Sequence, residues 1–348
     1  MPELPEVQTI VNDLNEKVKG EKIVDFWSDW KKNVRPGFSE FKKGVVGVKI
    51  VGARRIGKQI VIDLDNGNSV LIHLKMSGHL LYKKFTDDNL QKNDAGLPRK
   101  FLPEVALNYF VGCRTHHSAS LRGENDTPLN NLERPPSEIF SQRRTLVRAL
   151  RNDQRRNYFN EKVNQYIHHI FYFESGATLE FSDMRKFAWL GVVKTDEVES
   201  QKEISQLGID ALSPGFTLKK FKEILEKKKK GVIGTVLLDQ GLIAGIGNIY
   251  RSEILFLAGV NPKRKVSSLN EKEIEKIFKS IKDVLKKAIK MRGTSDSDYR
   301  DIEGKPGKFH EVLNVYRREG EKCKKCKNKI TREKLGQRSI FYCPKCQK

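Results

Sequence analysis

Four of the five cysteines form two matched pairs in the last part of the chain. They follow the pattern Cys323-x2-Cys326, then sixteen residues, then Cys343-x2-Cys346. Two such pairs present four thiolates to one metal ion and close a tetrahedron that has no open position. The spacing therefore predicts one structural Zn²⁺ ion. A redox-active pair or two disulfides are the alternatives; two pairs at this spacing favour zinc over both, and the reducing compartment inferred below also disfavours disulfides.

The first six residues are Met1-Pro2-Glu3-Leu4-Pro5-Glu6. Pro2 is followed closely by two carboxyl groups, those of Glu3 and Glu6, that could assist a reaction. Removal of Met1, which a small second residue permits, would leave Pro2 with a free secondary amine beside Glu3 and Glu6. An α-amino group has a pKa of about 7.7–8.0, so a useful fraction is unprotonated at neutral pH and can attack an electrophilic carbon. The alternative is that the prolines only rigidify a helix start. The hexapeptide alone does not decide between the two.

The chain is strongly basic, which predicts a polyanionic partner. Its 348 residues include 66 Lys and Arg against 44 Asp and Glu, giving a formal net charge of +22. Nucleic acid is the first candidate and an acidic membrane surface is the second. No apolar run is long enough to span a bilayer, and the first residues do not resemble a secretory signal, so we expect a cytoplasmic location.

Hydrophobic periodicity indicates a β-rich first part and a helical second part, with a boundary near 195–216. The turn Asp65-Asn66-Gly67-Asn68 predicts a β-hairpin, and residues 85–165 are polar with little periodicity. The predicted segments are a helix at 3–18, β-like runs at 48–51, 59–64, 69–74, 167–173 and 177–181, helices at 218–230 and 271–288, a loop at 292–308 and a strand at 340–342.

Several motifs in a fixed order resemble one known family. They are Met1–Val7, Gly57–Lys58, His73–Gly78, Asp183–Phe187, Gly245–Tyr250, Gly304–Gly307 and Gly336–Gln347. The ordered set is similar to the formamidopyrimidine-DNA glycosylases, relatives of endonuclease VIII. The resemblance implies a multidomain α+β fold. An N-terminal catalytic β-sandwich domain flanked by helices (1–200, with an insertion at about 85–165) would precede a helix-two-turn-helix domain (216–315) and a zinc finger (316–348) built as a four-cysteine zinc hairpin.

The resemblance also implies catalytic roles. Pro2 would attack C1′ of the damaged nucleotide, displace the base and form a Schiff base, after which both flanking phosphates are eliminated. Glu3 would act as the general acid/base that assists sugar opening, and Glu6 would support the active site. Lys58 would contact phosphate and assist elimination, although without the motif we would interpret it as a solvated strand lysine. Arg338 would bind phosphate and assist the second elimination.

Further residues are implied in DNA recognition. A base inside a duplex must be extruded before it can react, and side chains can fill the hole that it leaves. Met76, Arg185 and Phe187 match the family's void-filling residues; without the resemblance, Met76 and Phe187 would be interpreted as core. The other predicted DNA-binding residues are His73, Lys229, Lys230, Asn248 and Tyr250. Backbone amides at the helix start near Asn248 are predicted to bind phosphate. Ser295, Asp296, Ser297, Asp298 and Tyr299 are candidate base contacts through backbone groups.

Taken together, these features predict a bifunctional DNA glycosylase and abasic-site lyase of base excision repair that acts on oxidised purines such as 8-oxoguanine and formamidopyrimidines. Its partner would be double-stranded DNA containing oxidised bases or abasic sites, and we expect a monomer associated with the bacterial nucleoid. Leu4 and the loop 294–307 favour this branch over an endonuclease VIII-like glycosylase for oxidised pyrimidines. A non-catalytic DNA-binding protein with a zinc hairpin is the alternative from another class.

Overall fold

The computed structural model describes residues 1–84, 158–295 and 298–348. Most of the predicted insertion, and Asp296 and Ser297 of the predicted base-contact loop, lie outside the described residues. Residues Met1–Lys84 and Lys162–Lys348 form one compact unit, and the elements below belong to it except the 3-10 turn at Tyr158–Asn160. Within the described ranges, no helix is long and apolar enough to cross a membrane.

The chain begins with the amphipathic helix α1, Leu4–Lys17, which confirms the predicted helix within one residue at each end. Pro5 lies in the first turn, where its missing N–H has no intrahelical acceptor to lose. The buried stripe consists of Val7, Ile10, Val11 and Leu14. This stripe faces the interior of the β-sandwich.

Two sheets form the predicted β-sandwich, and their apolar inner faces share one core with α1. One sheet has the strand order β1-β7-β8-β6 and the other β2-β9-β5-β4-β3. The predicted hairpin joins β4 to β5, with Gly67 at φ +78° in the turn. The elements are β1 (Ile23–Ser28), β2 (Val34–Arg35), α2 (Phe38–Val45), β3 (Ile50–Ile56), β4 (Gln59–Leu64), β5 (Asn68–His73), β6 (Gly78–Lys83), β7 (Ile167–Phe173), β8 (Thr178–Asp183) and β9 (Trp189–Lys194).

The second half is helical and ends in a two-stranded hairpin. Helix α7 has a capping box, in which Asn270 and Glu273 satisfy each other's backbone N–H groups. The elements are α3 (Lys202–Ser205), β10 (Ile209–Asp210), α4 (Leu218–Lys227), α5 (Ile233–Val236), β11 (Ile243–Ala244), α6 (Asn248–Ala258), α7 (Glu271–Lys290), β12 (Thr331–Leu335) and β13 (Arg338–Tyr342). Short 3-10 turns lie at Lys31–Asn33, Tyr158–Asn160, Lys162–Gln165, Thr195–Glu197, Val266–Ser268 and Phe309–Val312.

Each of the two larger hydrophobic cores among the described residues contains side chains from the other half of the sequence. Leu4 of α1 is fully buried in the core of the helical part. Tyr299 and Ile302, which follow α7, are buried in the core of the β-sandwich. Burial of a leucine side chain contributes about 2 kcal/mol. The sandwich and the helical part are therefore joined, because each contributes buried side chains to the core of the other.

Candidate active site

Glu3 lies at the start of helix α6, although 244 residues separate Glu3 from Gly247. Its carboxylate, only 3% exposed, accepts hydrogen bonds from the backbone N–H groups of Gly247 (2.8 Å), Ile249 (3.0 Å) and Tyr250 (3.4 Å). These amides carry the partial positive charge of the helix N-terminus, which stabilises an anion. These three amides are therefore hydrogen-bonded to Glu3, and phosphate binding at this helix start stays a prediction.

Glycine is required at position 247 by this contact. A Cβ atom there would overlap the carboxyl group of Glu3. The preceding turn is held by Gln240, which accepts a hydrogen bond from the N–H of Gly245 (3.1 Å) and donates one to the carbonyl of Ile246 (2.7 Å). Gln240 was missed by sequence reasoning, since nothing local distinguishes it from a solvated glutamine.

Glu6 is the second buried carboxyl group, one turn along α1. Its Oε2 atom accepts the backbone N–H of Glu3 (2.7 Å), and its Oε1 atom accepts the N–H of Thr294 (2.7 Å) and the hydroxyl of Tyr250. Burial and the nearby charge of Glu3 raise the pKa of Glu6 to about 7. Gly293 allows this approach, since a Cβ atom there would lie 2.8 Å from Oε1.

Tyr250 supports this carboxyl group and does not face DNA. Its side chain is fully buried, and its hydroxyl contacts Glu6 and lies 3.0 Å from the hydroxyl of Thr294. Burial raises the pKa of Tyr250 well above its ordinary value, so the phenol stays protonated and donates to Glu6. The prediction that Tyr250 binds DNA is wrong for its side chain, because the ring is fully buried and the hydroxyl donates to the buried carboxyl group of Glu6.

Lys58 is an amine buried at the same site. It lies in the turn between β3 and β4, where Gly57 adopts φ +59°, and it is only 9% exposed. Its Nζ atom donates to the carbonyl of Ile246 (3.1 Å). Burial lowers the pKa of Lys58, and the positive charge of Arg338 acts in the same direction. The alternative of a solvated strand lysine is therefore wrong.

Pro2 is buried beside these groups, whereas Met1 is about half exposed. While Met1 is attached, the nitrogen of Pro2 is part of an amide and has no lone pair available for attack. The carboxyl groups of Glu3 and Glu6 thus lie within a few residues of the N-terminus, and Lys58 is hydrogen-bonded to Ile246, the neighbour of the Gly247 amide that Glu3 accepts. This arrangement provides an acid, a base and a latent nucleophile.

Arg251 links helix α6 to the zinc hairpin and was missed by sequence reasoning. Its side chain, 1% exposed, donates to the carbonyls of Gly234 (3.2 Å) and Ser339 (2.9 Å) and to Oδ1 of Asn248 (2.5 Å). Burial lowers its pKa to about 10. An arginine inside the apolar run of α6 was the available signal. Arg251 fixes the hairpin beside Arg338, which is itself exposed.

The three predicted void-filling side chains form one exposed cluster. Met76 is 42% exposed and Phe187 is 53% exposed, so the interpretation of either as core is wrong. A guanidinium nitrogen of Arg185 lies 3.2 Å from the sulfur of Met76, and the guanidinium carbon lies 4.9 Å from the ring centroid of Phe187. Apolar side chains held outside the core in this way are available to enter a base stack.

The remaining predicted DNA-binding residues occupy different surroundings. His73 is half-buried, and burial lowers its pKa to about 4. Because its Nδ1 atom accepts the N–H of Lys75 (3.0 Å), the neutral ring carries its proton on Nε2 and can donate there. Lys229 and Lys230 are exposed just after α4, which ends at Lys227, three residues before the predicted helix end.

The predicted base-contact loop is only partly described. Ser295 donates to the carbonyl of Tyr299 (2.6 Å) and accepts the N–H of Gly307 (2.8 Å), which closes the loop at its base. Tyr299 is 6% exposed and packs in the sandwich core, so its side chain is not available to a base. Asp298 is half-buried.

The four cysteines converge as the spacing predicts. All four sulfur atoms lie within 4.8 Å of one another, with 3.4 Å between Cys326 and Cys343 and 3.9 Å between Cys323 and Cys346. A tetrahedral zinc site with Zn–S bonds of about 2.3 Å has S···S edges of about 3.8 Å. The donor set and its dimensions fit one structural Zn²⁺ ion, which would pin the β12–β13 hairpin.

A buried acid–base site on a β-sandwich, joined to a helical part and a zinc hairpin, is the arrangement of a DNA glycosylase. Three family models match: the formamidopyrimidine-DNA glycosylase N-terminal domain (residues 1–110), the formamidopyrimidine-DNA glycosylase H2TH domain (207–299) and the zinc finger found in FPG and IleRS (320–348). The chain belongs to the formamidopyrimidine-DNA glycosylase family.

Relatives support this assignment over the whole chain. The formamidopyrimidine-DNA glycosylase of Pelotomaculum thermopropionicum is 32% identical, covering 100% of this chain and 99% of the relative. That of Carboxydothermus hydrogenoformans is 33% identical, with 100% of each covered. Among solved structures, the Lactococcus lactis Fpg chain in a complex with DNA containing an abasic site is 27% identical to this chain. The match covers 99% of both chains and has a TM-score of 0.72. MutM in complex with carbocyclic 8-oxo-G DNA is 27% identical, with 99% of both chains covered and a TM-score of 0.71.

Proposed function

We propose that this chain is a bifunctional DNA glycosylase and abasic-site lyase that excises oxidised purines from duplex DNA. The observation that carries the proposal is the burial of Pro2, Glu3, Glu6 and Lys58, with Lys58 hydrogen-bonded to Ile246 next to the Gly247 amide that Glu3 accepts. Relatives captured with DNA containing an abasic site or 8-oxo-G support the choice of substrate. Bacterial chromosomal DNA is the substrate pool that we propose, because the related enzymes come from bacteria.

Pro2 would be the nucleophile once Met1 has been removed. Its secondary amine attacks C1′ of the damaged nucleotide, the bond from C1′ to the base breaks, and the base leaves. The carboxylate of Glu3 takes the proton that the attacking amine releases and delivers it to the ring oxygen as the sugar opens, which leaves an iminium (Schiff base) on Pro2; the departing base takes its proton from water. The amides that donate to Glu3 fix the position of its carboxylate, so no conformational entropy has to be lost to bring it to the reacting atoms.

Lys58 and Arg338 would serve the two elimination steps. Burial lowers the pKa of Lys58, so its neutral form is more accessible than that of an ordinary lysine and can move a proton during β-elimination. Arg338 at the hairpin tip would hold the departing phosphate and assist δ-elimination. Glu6 would act through its contacts to Glu3, Thr294 and Tyr250 and would not touch the substrate.

Extrusion of the nucleotide would use the exposed cluster of Met76, Arg185 and Phe187. Unstacking the extruded base costs a few kcal/mol. Contacts between the inserted side chains and the neighbouring bases would offset this cost. Arg185 would contact the orphaned partner base. The helix-start residue Asn248, Lys229 and Lys230 would contact the DNA backbone.

Trapping with borohydride tests the chemistry. The protein is incubated with an 8-oxoguanine:C duplex and borohydride, and the adduct is digested and sequenced by mass spectrometry. We expect a covalent adduct on the peptide that begins at Pro2, and its loss in Pro2→Gly. No adduct with any lesion would leave the alternative of a non-catalytic DNA-binding protein. A panel of single-lesion duplexes separates oxidised purines from the pyrimidine lesions of an endonuclease VIII-like enzyme.

A further inference from the structure

Arg292 connects helix α1 to the segment that follows helix α7. Its guanidinium donates to both carboxylate oxygens of Asp13 on α1 (3.1 and 2.6 Å), and its Nε atom donates to Oδ2 of Asp301 (2.8 Å). Asp13 is 10% exposed and Asp301 is 1% exposed at the side chain, whereas Arg292 is 43% exposed. One planar fork therefore joins two nearly buried carboxylates from distant parts of the chain.

Arg292 adopts φ +61°, a conformation that favours glycine. It terminates α7, and the next residue, Gly293, donates its N–H to the carbonyl of Ala288 (2.8 Å) in the manner of a helix C-cap. A non-glycine residue persists in this conformation where the surrounding contacts determine it. The paired carboxylates of Asp13 and Asp301 are such contacts.

Asp301 in turn shapes the second half of the loop. Its Oδ1 atom accepts the N–H groups of Glu303 (3.0 Å) and Lys305 (2.9 Å), and its own N–H donates to the carbonyl of Lys305 (2.9 Å). The adjacent carbonyl of Ile302 accepts the N–H of Tyr82 on β6 (2.7 Å). The segment 298–307 is therefore folded around Asp301 and attached to the sandwich.

Helix α1 thus meets this part of the chain at two places. Glu6 accepts the N–H of Thr294, and Asp13 accepts the guanidinium of Arg292. Glu6 and Asp13 are seven residues apart, so they lie two turns apart on one face of the helix. The helix that directly follows Pro2 and Glu3 is therefore also bonded to Thr294 and, through Arg292, to the segment 298–307.

We propose that Arg292 is a positioning residue that anchors the segment 298–307 to α1, so that excision of a base depends on it while cleavage at a site without a base does not. The proposal rests on the proposed function and on the resemblance, which implies that Asp298 and Tyr299 of this segment contact the base through backbone groups. The anchor itself, Arg292 with Asp13 and Asp301, is a feature of the protein alone.

The experiment compares two substrates with one set of variants. Arg292→Gln removes the charge, and Arg292→Gly removes the side chain while relieving the φ +61° backbone, so it should fold even where the glutamine variant does not. Arg54→Gln is the matched control, because Arg54 is 37% exposed and pairs with Asp63 (3.0 Å) away from the loop. Single-turnover rates are measured for excision from an 8-oxoguanine duplex and for cleavage of a preformed abasic-site duplex.

We expect both Arg292 variants to lose excision by about ten-fold to a hundred-fold while abasic-site cleavage stays within about two-fold of wild type, since only the former needs an aligned base. Arg54→Gln should keep both rates. Asp13→Asn should reproduce the effect, and its combination with Arg292→Gln should add little, because the two residues act as a pair. Equal losses on both substrates would overturn the proposal.

Hydrogen exchange of the free protein provides a readout that needs no activity. Loss of the anchor should speed exchange in the peptide 292–308, where the amides of Thr294, Glu303 and Lys305 are hydrogen bonded. Unchanged exchange in both Arg292 variants would overturn the anchor. A wild-type protein that excises no oxidised purine would overturn the proposed function, and the exchange result would still decide the anchor.

Discussion

The carboxyl group of Glu3 occupies the space that a Cβ atom on residue 247 would need. The backbone amide of Gly247 donates to the same carboxylate at 2.8 Å, so glycine provides both the room and the donor. The residues that directly precede helices α1 and α6 are therefore in contact, and one of them has no side chain, at the site where we expect the reaction.

Gly247→Ala should displace Glu3 and damage the enzyme. We expect a loss of about 1–3 kcal/mol of stability from the overlap, and a drop of about ten-fold or more in the rate of borohydride trapping because the proton donor has moved. Differential scanning calorimetry and single-turnover trapping measure the two effects. Gly37→Ala is the control, since a Cβ there would lie 3.7 Å from its nearest neighbour, Oε2 of Glu40. Wild-type trapping by Gly247→Ala would contradict the arrangement.

Met76→Ala should separate function from folding. Met76 is 42% exposed, so we expect its truncation to change the free energy of unfolding by less than about 0.5 kcal/mol. Excision from duplex DNA should fall by about ten-fold or more. Unstacking the base costs a few kcal/mol, and the Met76 side chain would no longer offset that cost. Val51→Ala, at 52% exposure on β3, should change neither quantity. Unaltered excision by Met76→Ala would exclude a void-filling role.

Glu6 should make stability fall as pH rises. Its ordinary pKa of 4.5 is raised to about 7 in the folded protein, so between these values the folded form keeps a proton that the unfolded form releases. The stabilisation is complete below the lower value and is lost as pH rises through the upper one, by an amount on the order of 3 kcal/mol.

Glu6→Gln cannot ionise and should lack this loss, although it should be less stable at every pH because an amide nitrogen would face one of the two N–H groups that Glu6 accepts. Denaturant unfolding of both proteins at pH 5, 6, 7 and 8 tests this. We expect the stability gap between wild type and variant to narrow as pH rises; a gap independent of pH would show that Glu6 does not titrate in this range.

Arg251→Lys should not be conservative. Lysine keeps the charge but cannot reach Gly234, Ser339 and Asn248 with one fork, so we expect a loss of about 2 kcal/mol in stability from unpaired buried groups. DNA affinity should also fall, since the hairpin is no longer held beside α6. Lys325→Gln is the control, as its ammonium is exposed and lies 4.8 Å from the Phe256 ring centroid on the same helix. Equal effects of both changes would argue against a special role for Arg251.

Removal of zinc should abolish DNA binding while leaving the sandwich folded. Structural zinc supplies the folding free energy of its hairpin, about 10–16 kcal/mol in isolated zinc-finger peptides. Chelation followed by metal analysis and fluorescence anisotropy with duplex DNA measures the outcome. Binding of the intact protein should also weaken steeply with salt, because we expect several phosphates to be contacted. Full affinity after verified zinc loss would refute the hairpin's role.

The parts predicted well from sequence are those in which neighbouring residues determine the outcome. The Asp65–Asn68 turn, the helix that begins at Glu271 and the cysteine spacing all depend on local chemistry, and each was found where expected. The identity of the zinc ligands follows from residue type alone, because four thiolates have few other uses in such a pattern.

Long-range partners could not be predicted. Nothing near Glu3 indicates that its carboxylate receives the amides of α6, so those amides were assigned to a phosphate. Tyr250 and Tyr299 have side chains that suit a DNA surface, yet tertiary burial directs one to Glu6 and the other to the sandwich core. Met76 and Phe187 are the opposite case: apolar residues are normally expected in a core, yet both side chains are exposed.

The contact between the two ends of the sequence has a consequence for biosynthesis. The residues that enclose Glu3 and Glu6, at 247–250 and 294, leave the ribosome some 15–60 s after Pro2 at a synthesis rate of about 5–20 residues per second. Until then the N-terminus cannot acquire the burial that it has in the folded chain. Under the proposed function, removal of Met1 and assembly of the pocket would therefore be separated in time, and the nascent chain would carry the amine of Pro2 before the groups that we propose to act with it.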